Sequence, residues 1–159
     1  MKSSQFAPLL LFLASCSDGS VESILNPAQR FAVEDLLREH KNAELVQPDE
    51  CTSPQLEKYQ SENPGYTPYY AEADFNGDGY LDFVIATKVA GAYDLWFFLG
   101  SVTEYRRPEN FSTMTWLHEG GFIVRGRHLF VGTFYGDDGT TFAWDSQAGR
   151  FATYSPETP

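Results

Sequence analysis

The sequence predicts an α+β domain in which one or two N-terminal helices pack on an antiparallel meander sheet of about five to six strands. Two observations carry this prediction. The first third of the chain holds a capped amphipathic helical segment, and the rest alternates short β-branched and aromatic runs with glycine-containing turns. Strands joined by tight turns favour an antiparallel sheet, and helices segregated from strands favour the α+β class.

The first predicted helix begins after Asn26 and ends near His40. Asparagine is a favoured N-cap, proline is favoured at the first helical position, and Gln29 stands at the capping-box position. One apolar stripe follows helical spacing and should face the core. Its members are Val33, Leu36, Leu37 and His40. We interpret His40 as a packing residue or a C-terminal dipole residue and not as a metal ligand.

A second, shorter helix is predicted over residues 54–62. Ser53 is its expected cap, and the Asn-Pro-Gly sequence at 63–65 should end it.

Six strands are predicted beyond residue 69. They cover residues 83–88, 93–99, 122–125, 129–134, 140–144 and 151–154. Gly91, Gly126, the Asp138-Gly139 pair and residues 146–149 supply the hairpin turns between them. Residues 101–119 are expected to form a long connection that contains one strand.

The segment 74–82, Asp-Phe-Asn-Gly-Asp-Gly-Tyr-Leu-Asp, predicts a calcium loop, because oxygen-bearing groups recur at every second position. Calcium takes six to eight oxygen ligands, and calcium loops supply them from positions 1, 3, 5, 7 and 9 with a glycine at position 6. The predicted ligands are Asp74, Asn76, Asp78, the Tyr80 carbonyl and Asp82, with Gly79 at the turn. So many protein oxygens favour calcium over magnesium, which retains water ligands.

The loop is not a complete EF-hand, because Ile85 stands where that motif has a bidentate glutamate. A β-rich run follows it in place of a helix. The loop and this run together resemble the FG-GAP and VCBS class of repeats, in which the matching positions bind calcium. No second copy occurs: residues 134–142 place their acids side by side, and a propeller needs at least four blades. A plain Asn-Gly or Asp-Gly turn without metal is the alternative.

The N-terminus has the pattern of a secretory signal peptide: a basic start, an apolar run over residues 6–13, and small residues after it. Leu13-Ala14-Ser15-Cys16 resembles the lipobox of bacterial lipoproteins. That resemblance implies removal of residues 1–15, acylation (palmitate among the acyl chains) of Cys16 and a membrane contact through the lipid. Ser17 resembles the class sorted to the outer membrane, facing the periplasm or the cell surface, in preference to the inner membrane.

Two alternatives to lipidation remain open at the N-terminus, an ordinary signal peptide and an unprocessed apolar helix. After residue 15, residues 16–23 are small and polar and predict a flexible tether, and residues 24–159 predict a single domain.

If Cys16 carries lipid, Cys51 has no partner and is expected to be a buried, inert thiol. A disulfide between the two cysteines would exclude the lipoprotein interpretation.

The formal net charge of −11 argues against binding to nucleic-acid phosphate backbones, which needs clustered lysine and arginine. It also disfavours electrostatic docking to anionic lipid. The three histidines, His40, His118 and His128, have no metalloprotease spacing, and no nucleophile elbow occurs.

We therefore expect a non-enzymatic envelope lipoprotein with a structural calcium loop. One alternative is an envelope binding or inhibitor module that uses residues 101–119 or an aromatic face against an envelope protein or a glycan. The candidate ligand-binding residues are Tyr80, Trp116 and Tyr135. A second alternative is a calcium-assisted hydrolase, for which Glu119, Asp137 and Asp138 are the candidate acids.

Overall fold

Nine strands and three α-helices make up the computed structural model over the residues it describes, 19–106 and 108–155. The helices are α1 (Val21–Ile24), α2 (Pro27–Glu39) and α3 (Leu56–Glu62). Short 3-10 turns cover Pro48–Glu50 and Leu117–Glu119. The strands are β1 (Glu44–Leu45), β2 (Tyr70–Ala73), β3 (Asp82–Val89), β4 (Ala92–Phe98), β5 (Glu109–Met114), β6 (Gly121–Arg125), β7 (His128–Gly132), β8 (Gly139–Asp145) and β9 (Arg150–Thr153).

The strands form two antiparallel sheets. In the first sheet β3 is central: β4 pairs along one edge, with β5 beyond it, while β1 and β2 share the other edge. The second sheet is a plain meander in the order β6-β7-β8-β9. Hairpin connections of this kind fix antiparallel neighbours, so the second sheet follows directly from its three short turns.

The central strand β3 is buried on both faces. Phe83 and Ile85 pack with α2 and the strand-4 residues Trp96 and Phe98, whereas Val84 belongs to a core shared by the two sheets. A strand covered on both sides loses the usual alternation of polar and apolar residues. This double burial explains why the sequence after the loop is a continuous apolar run.

The two sheets pack face to face. Their shared core contains residues of β3 and β4 on one side and of β6 to β9 on the other, among them Leu95, Phe97, Phe122, Leu129, Val131, Phe142 and Phe151. On the outer face of the second sheet, Leu56 and Tyr59 of α3 cover Phe130 and Phe134. The order of layers is therefore α1 and α2, the first sheet, the second sheet, and α3.

The α+β class is confirmed, but the prediction of one meander sheet is wrong. Each predicted strand exists, with bounds shifted by no more than a few residues, and the connection over 101–119 contains one strand, β5. After β5 the 3-10 turn Leu117–Glu119 buries Leu117 and carries the chain to β6 in the other sheet. Local periodicity of apolar residues predicts a strand, but it does not indicate that two successive strands belong to different sheets. Strands β1 and β2 span two and four residues, which is too short for a period-2 pattern to stand out.

Helix α2 has the predicted capping box. The Asn26 side chain accepts hydrogen bonds from the backbone N–H groups of Ala28 and Gln29, each at 3.0 Å, and the Gln29 side chain accepts from the Asn26 N–H at 3.0 Å. At the other end His40 is the C-cap, and its ring lies 4.7 Å from the Trp96 ring. The packing interpretation of His40 agrees with this contact.

Helix α3 begins at Leu56, two residues later than predicted. Its N-cap is Gln55, and Ser53 lies just outside, where its Oγ accepts a bond of 3.4 Å from the Gln55 N–H. The helix ends at Glu62, as predicted.

The folded domain begins earlier than the predicted tether allows. The sequence predicts a flexible tether over residues 16–23, but residues 21–23 lie in α1, where Val21 is fully buried and its N–H donates to Gln47 Oε1 at 3.2 Å. The predicted signal peptide over residues 1–15 and the acylated Cys16 lie outside the described residues. Within the described residues, none of the helices has the length and apolar content needed to cross a membrane.

Candidate metal centre

The loop at residues 74–82 is the connection of a β-hairpin between β2 and β3. Ala73 and Asp82 are directly opposed in the antiparallel register, so both ends of the loop are fixed by strand pairing. Between them Phe75 is buried in the shared core, whereas residues 77–81 are exposed. The loop therefore has one residue inserted into the core and a tip that faces solvent.

Asp74 holds the loop closed from its first position. Its Oδ1 accepts a hydrogen bond from the Gly77 N–H at 2.7 Å, and its Oδ2 accepts one from the Gly79 N–H at 3.1 Å. The two glycines have φ angles of 76° and 91°. Positive φ at both positions allows the chain to turn around this carboxylate, and glycine adopts that conformation without steric cost.

Asn76 and Asp78 form two further turns in succession. Asn76 Oδ1 accepts from the Asp78 N–H at 2.9 Å, and Asp78 Oδ1 accepts from the Tyr80 N–H at 3.0 Å. The Asn76 side-chain amide also donates to Asp78 Oδ2 at 2.9 Å. The Tyr80 N–H bond, the Asn76 amide and the positive charge of Arg106 lower the pKa of Asp78. Asp78 is therefore ionised at neutral pH.

Asp82 is the most constrained carboxylate of the loop. It is fully buried, its Oδ2 accepts from the N–H groups of Phe75 at 3.0 Å and Asn76 at 3.2 Å, and its Oδ1 accepts from the Gly100 N–H at 2.9 Å. Burial raises the pKa of Asp82, while these three N–H bonds oppose that rise. The side chain therefore joins the start of the loop, the start of β3 and Gly100, two residues beyond the end of β4.

The donor set fits calcium by its chemistry. It consists of carboxylates, one amide oxygen and one backbone carbonyl, all hard oxygen donors. Each oxygen that accepts one N–H bond retains a second lone pair. In the described part of the chain, however, no three acidic, histidine or cysteine side chains converge as a metal-binding group. Two of the five predicted donors are not of those types, and Asp82 is turned toward backbone N–H groups.

The three candidate ligand-binding aromatic residues lie on separate parts of the structure. Tyr80 is 42% exposed at the loop tip, and Tyr135 is exposed beside α3, where its hydroxyl donates to Glu62 Oε2 at 2.6 Å. Trp116 is half-buried and lines a groove of about 500 Å³ between the edge strands β5 and β9. The three residues therefore do not form one aromatic face. Of the three, only Trp116 lines this groove.

The candidate acids for a hydrolase stand on two turns. Glu119 ends the 3-10 turn and lies 3.8 Å from His118 Nε2, whereas Asp137 and Asp138 belong to the exposed connection between β7 and β8. The Asp138 carbonyl accepts a bond from the Thr133 N–H, which is typical of a hairpin turn.

Cys51 is half-buried, with its thiol 3.5 Å from the Gly120 carbonyl oxygen.

Two residues at the loop were missed by sequence reasoning. Gly100 donates to Asp82, and the Arg127 guanidinium lies against Gly77. Both come from distant parts of the chain, and neither belongs to a motif. Strand pairing between β3 and β4 brings Gly100 to the loop, and packing of the second sheet against the first brings Arg127 there.

No known protein family, curated protein or solved structure matches this chain.

We predict that Asp82→Asn destabilises the calcium-free protein by about 2–4 kcal/mol. The amide would place N–H donors against backbone N–H donors and leave at least one of them buried without an acceptor. Urea denaturation in chelator measures the change. Asp78→Asn is the matched control, because it removes the same charge from an exposed position of the same loop and should change stability by no more than about 0.5 kcal/mol. Equal effects of the two substitutions would contradict the role assigned to Asp82.

Proposed function

We propose that the protein is a non-enzymatic lipoprotein of the bacterial cell envelope, in which calcium bound by residues 74–82 stabilises the fold. The observation that carries this proposal is the loop itself. Alternating oxygen donors, turned at Gly77 and Gly79, lead directly into Asp82 at the start of the central strand. Asp74, Asn76, Asp78, the Tyr80 carbonyl and Asp82 are the residues that would hold the ion.

A structural role for calcium is favoured over a regulatory one by where the loop is attached. Phe75 and Asp82 are both buried, and β3 pairs with three other strands. An ion at the loop would add to constraints that the core already imposes on Phe75 and Asp82. Extracellular calcium modules bind at about 10⁻⁴ to 10⁻³ M, so such a site would be filled constitutively where calcium is abundant.

The lipid anchor is supported by the lipobox and by the position at which the fold begins. Val21 is already in the core. The five residue steps from Cys16 to Val21 span at most about 18 Å when fully extended. Acylation of Cys16 would therefore hold the domain close to the bilayer surface, and the acidic protein would rely on the lipid for membrane contact. Two or more acyl chains give stable attachment.

We expect calcium to raise the melting temperature of the domain over residues 17–159. At a calcium concentration about 100 times Kd, binding to the native state alone contributes about 2.7 kcal/mol, which corresponds to a rise in Tm of roughly 10 °C for a domain of this size. Differential scanning calorimetry in excess calcium and in chelator measures the shift.

Asp78→Asn should abolish most of that calcium-dependent shift, because it removes a carboxylate ligand. Asp137→Asn, which removes the same charge from another exposed turn, should retain it. Identical melting of the wild-type domain in calcium and in chelator would contradict the structural calcium site.

We expect Cys16→Ser to abolish membrane attachment of the full-length protein expressed in a bacterial host. The serine hydroxyl cannot form the thioether that carries the lipid, so the variant should move from the detergent phase to the aqueous phase in a detergent partition assay. Cys51→Ser is the matched control and should partition as the wild type does. Detergent-phase recovery of Cys16→Ser from which residues 1–15 have been removed, or loss of it in Cys51→Ser, would contradict lipidation at Cys16.

A second candidate function, an envelope-binding module, is favoured by the groove at Trp116. Strands β5 and β9 each pair with only one strand in the described sheets, so each has one edge without a strand partner, and residues of both strands line the groove. Phe111 and Phe142 line it together with Trp116. An edge of this kind can receive an extended polypeptide by strand addition, with aromatic side chains selecting its residues.

We expect any partner of this groove to be lost with Trp116→Ala and kept with Tyr135→Ala, because only Trp116 lies in the groove. Affinity capture from envelope extract, with circular dichroism to check that both variants fold, compares the two. A partner retained by the folded Trp116→Ala variant would rule out the groove as its binding site.

A further inference from the structure

Arg127 lies in the turn between β6 and β7 of the second sheet, yet its side chain reaches the calcium loop of the first sheet. The guanidinium occupies the space beside Gly77 in which a Cβ atom would lie. Gly77 has a φ of 76°. The absence of a side chain at Gly77 therefore serves two purposes: it permits the turn, and it admits the guanidinium against the backbone.

The Arg127 guanidinium is not bonded to another side chain among the described residues. It is exposed, and among the described residues it forms no hydrogen bond and no ion pair. The neighbouring arginine on the same hairpin differs, because the Arg125 guanidinium lies over the Phe130 ring at 4.0 Å from its centroid. Of these two arginines, Arg127 contacts the loop and Arg125 contacts an aromatic ring of its own sheet.

The loop that Arg127 contacts carries three carboxylates within nine residues, on a protein with a formal net charge of −11. Holding carboxylates close together without a cation is unfavourable, since like charges repel. The positive charge of Arg127 beside the loop reduces that repulsion when no metal is bound, in addition to the charge of Arg106, which acts on Asp78. The same charge repels a divalent cation that enters the loop, and both effects are weakened by salt.

We propose that Arg127 is a built-in counterion of the calcium loop: it stabilises the loop in the absence of metal and weakens calcium binding. This inference rests on the proposed calcium site. Arg127 does not coordinate the ion in this account. It is a positioning residue that sets the calcium affinity through charge, and thereby sets the concentration at which the site fills.

The test is the calcium affinity of the domain measured by isothermal titration calorimetry for wild type, R127Q, R127K and R125Q. Removing the charge next to the loop should make R127Q bind calcium roughly three- to tenfold more tightly than wild type. R127K keeps the charge, and R125Q removes an equal charge that does not contact the loop. Both should bind within about twofold of wild type.

Salt and the melting temperature in chelator provide two further readouts. The difference between wild type and R127Q should shrink as ionic strength rises to about 1 M, where the Debye length is about 3 Å. In chelator, R127Q should melt at a lower temperature than R127K. If the substitutions acted only through lost packing, R127Q and R127K would change the calcium affinity and the melting temperature by similar amounts. Those changes would not depend on salt.

The possible failures are distinguishable. Equal calcium affinities in wild type and R127Q, or a gain in R125Q that matches R127Q, would overturn the role of Arg127 while leaving the calcium site in place. A lack of calcium binding in all four proteins would overturn the proposed function and this inference together.

Discussion

Asp82 connects three parts of the chain through one buried carboxylate, and the arrangement around the loop depends on it. Its oxygens accept hydrogen bonds from the N–H groups of Phe75, Asn76 and Gly100, so the start of the loop and the segment just beyond β4 are both tied to the first residue of β3. A buried charge is costly unless it is fully hydrogen-bonded, and here three donors meet that requirement. With Asp82 fixed, Phe75 enters the shared core and the loop tip is left to face solvent.

The proposed calcium ion would add most to the exposed tip of the loop, because three backbone N–H groups already hold Asp82. Asp74, Asn76 and Asp78 hold the exposed tip through hydrogen bonds to backbone N–H groups. Such bonds at an exposed site compete with water and contribute modestly. An ion and the Arg127 guanidinium would serve the same electrostatic need, neutralising clustered carboxylates, and for that reason would oppose each other. In this proposal the site joins a buried inner half, held by Asp82, to an exposed outer half that a cation would stabilise.

Much of the fold could be predicted from local sequence, because local signals determine it. The Asn26 cap, the hairpin turns and the apolar runs each act within a few residues, and the corresponding helix and strands are present. The division into two sheets could not be predicted, since it depends on where Leu117 is buried and on which strands meet as edges. The loop was identified from its spacing of oxygen donors. Its contacts with Gly100 and Arg127 were not, because pairing of β3 with β4 creates the first and packing of the two sheets creates the second.

Native-state hydrogen exchange tests the central claim most directly, because it reads the N–H groups that Asp82 accepts. In chelator, the Phe75, Asn76 and Gly100 amides should exchange slowly, at rates close to those of the β3 amides, whereas the Gly77 and Gly79 amides at the tip should exchange fast. Calcium should slow exchange at the tip and leave the Asp82-bound amides little changed. Fast exchange of Gly100 and Phe75 in chelator, at rates like those of the tip, would contradict the account.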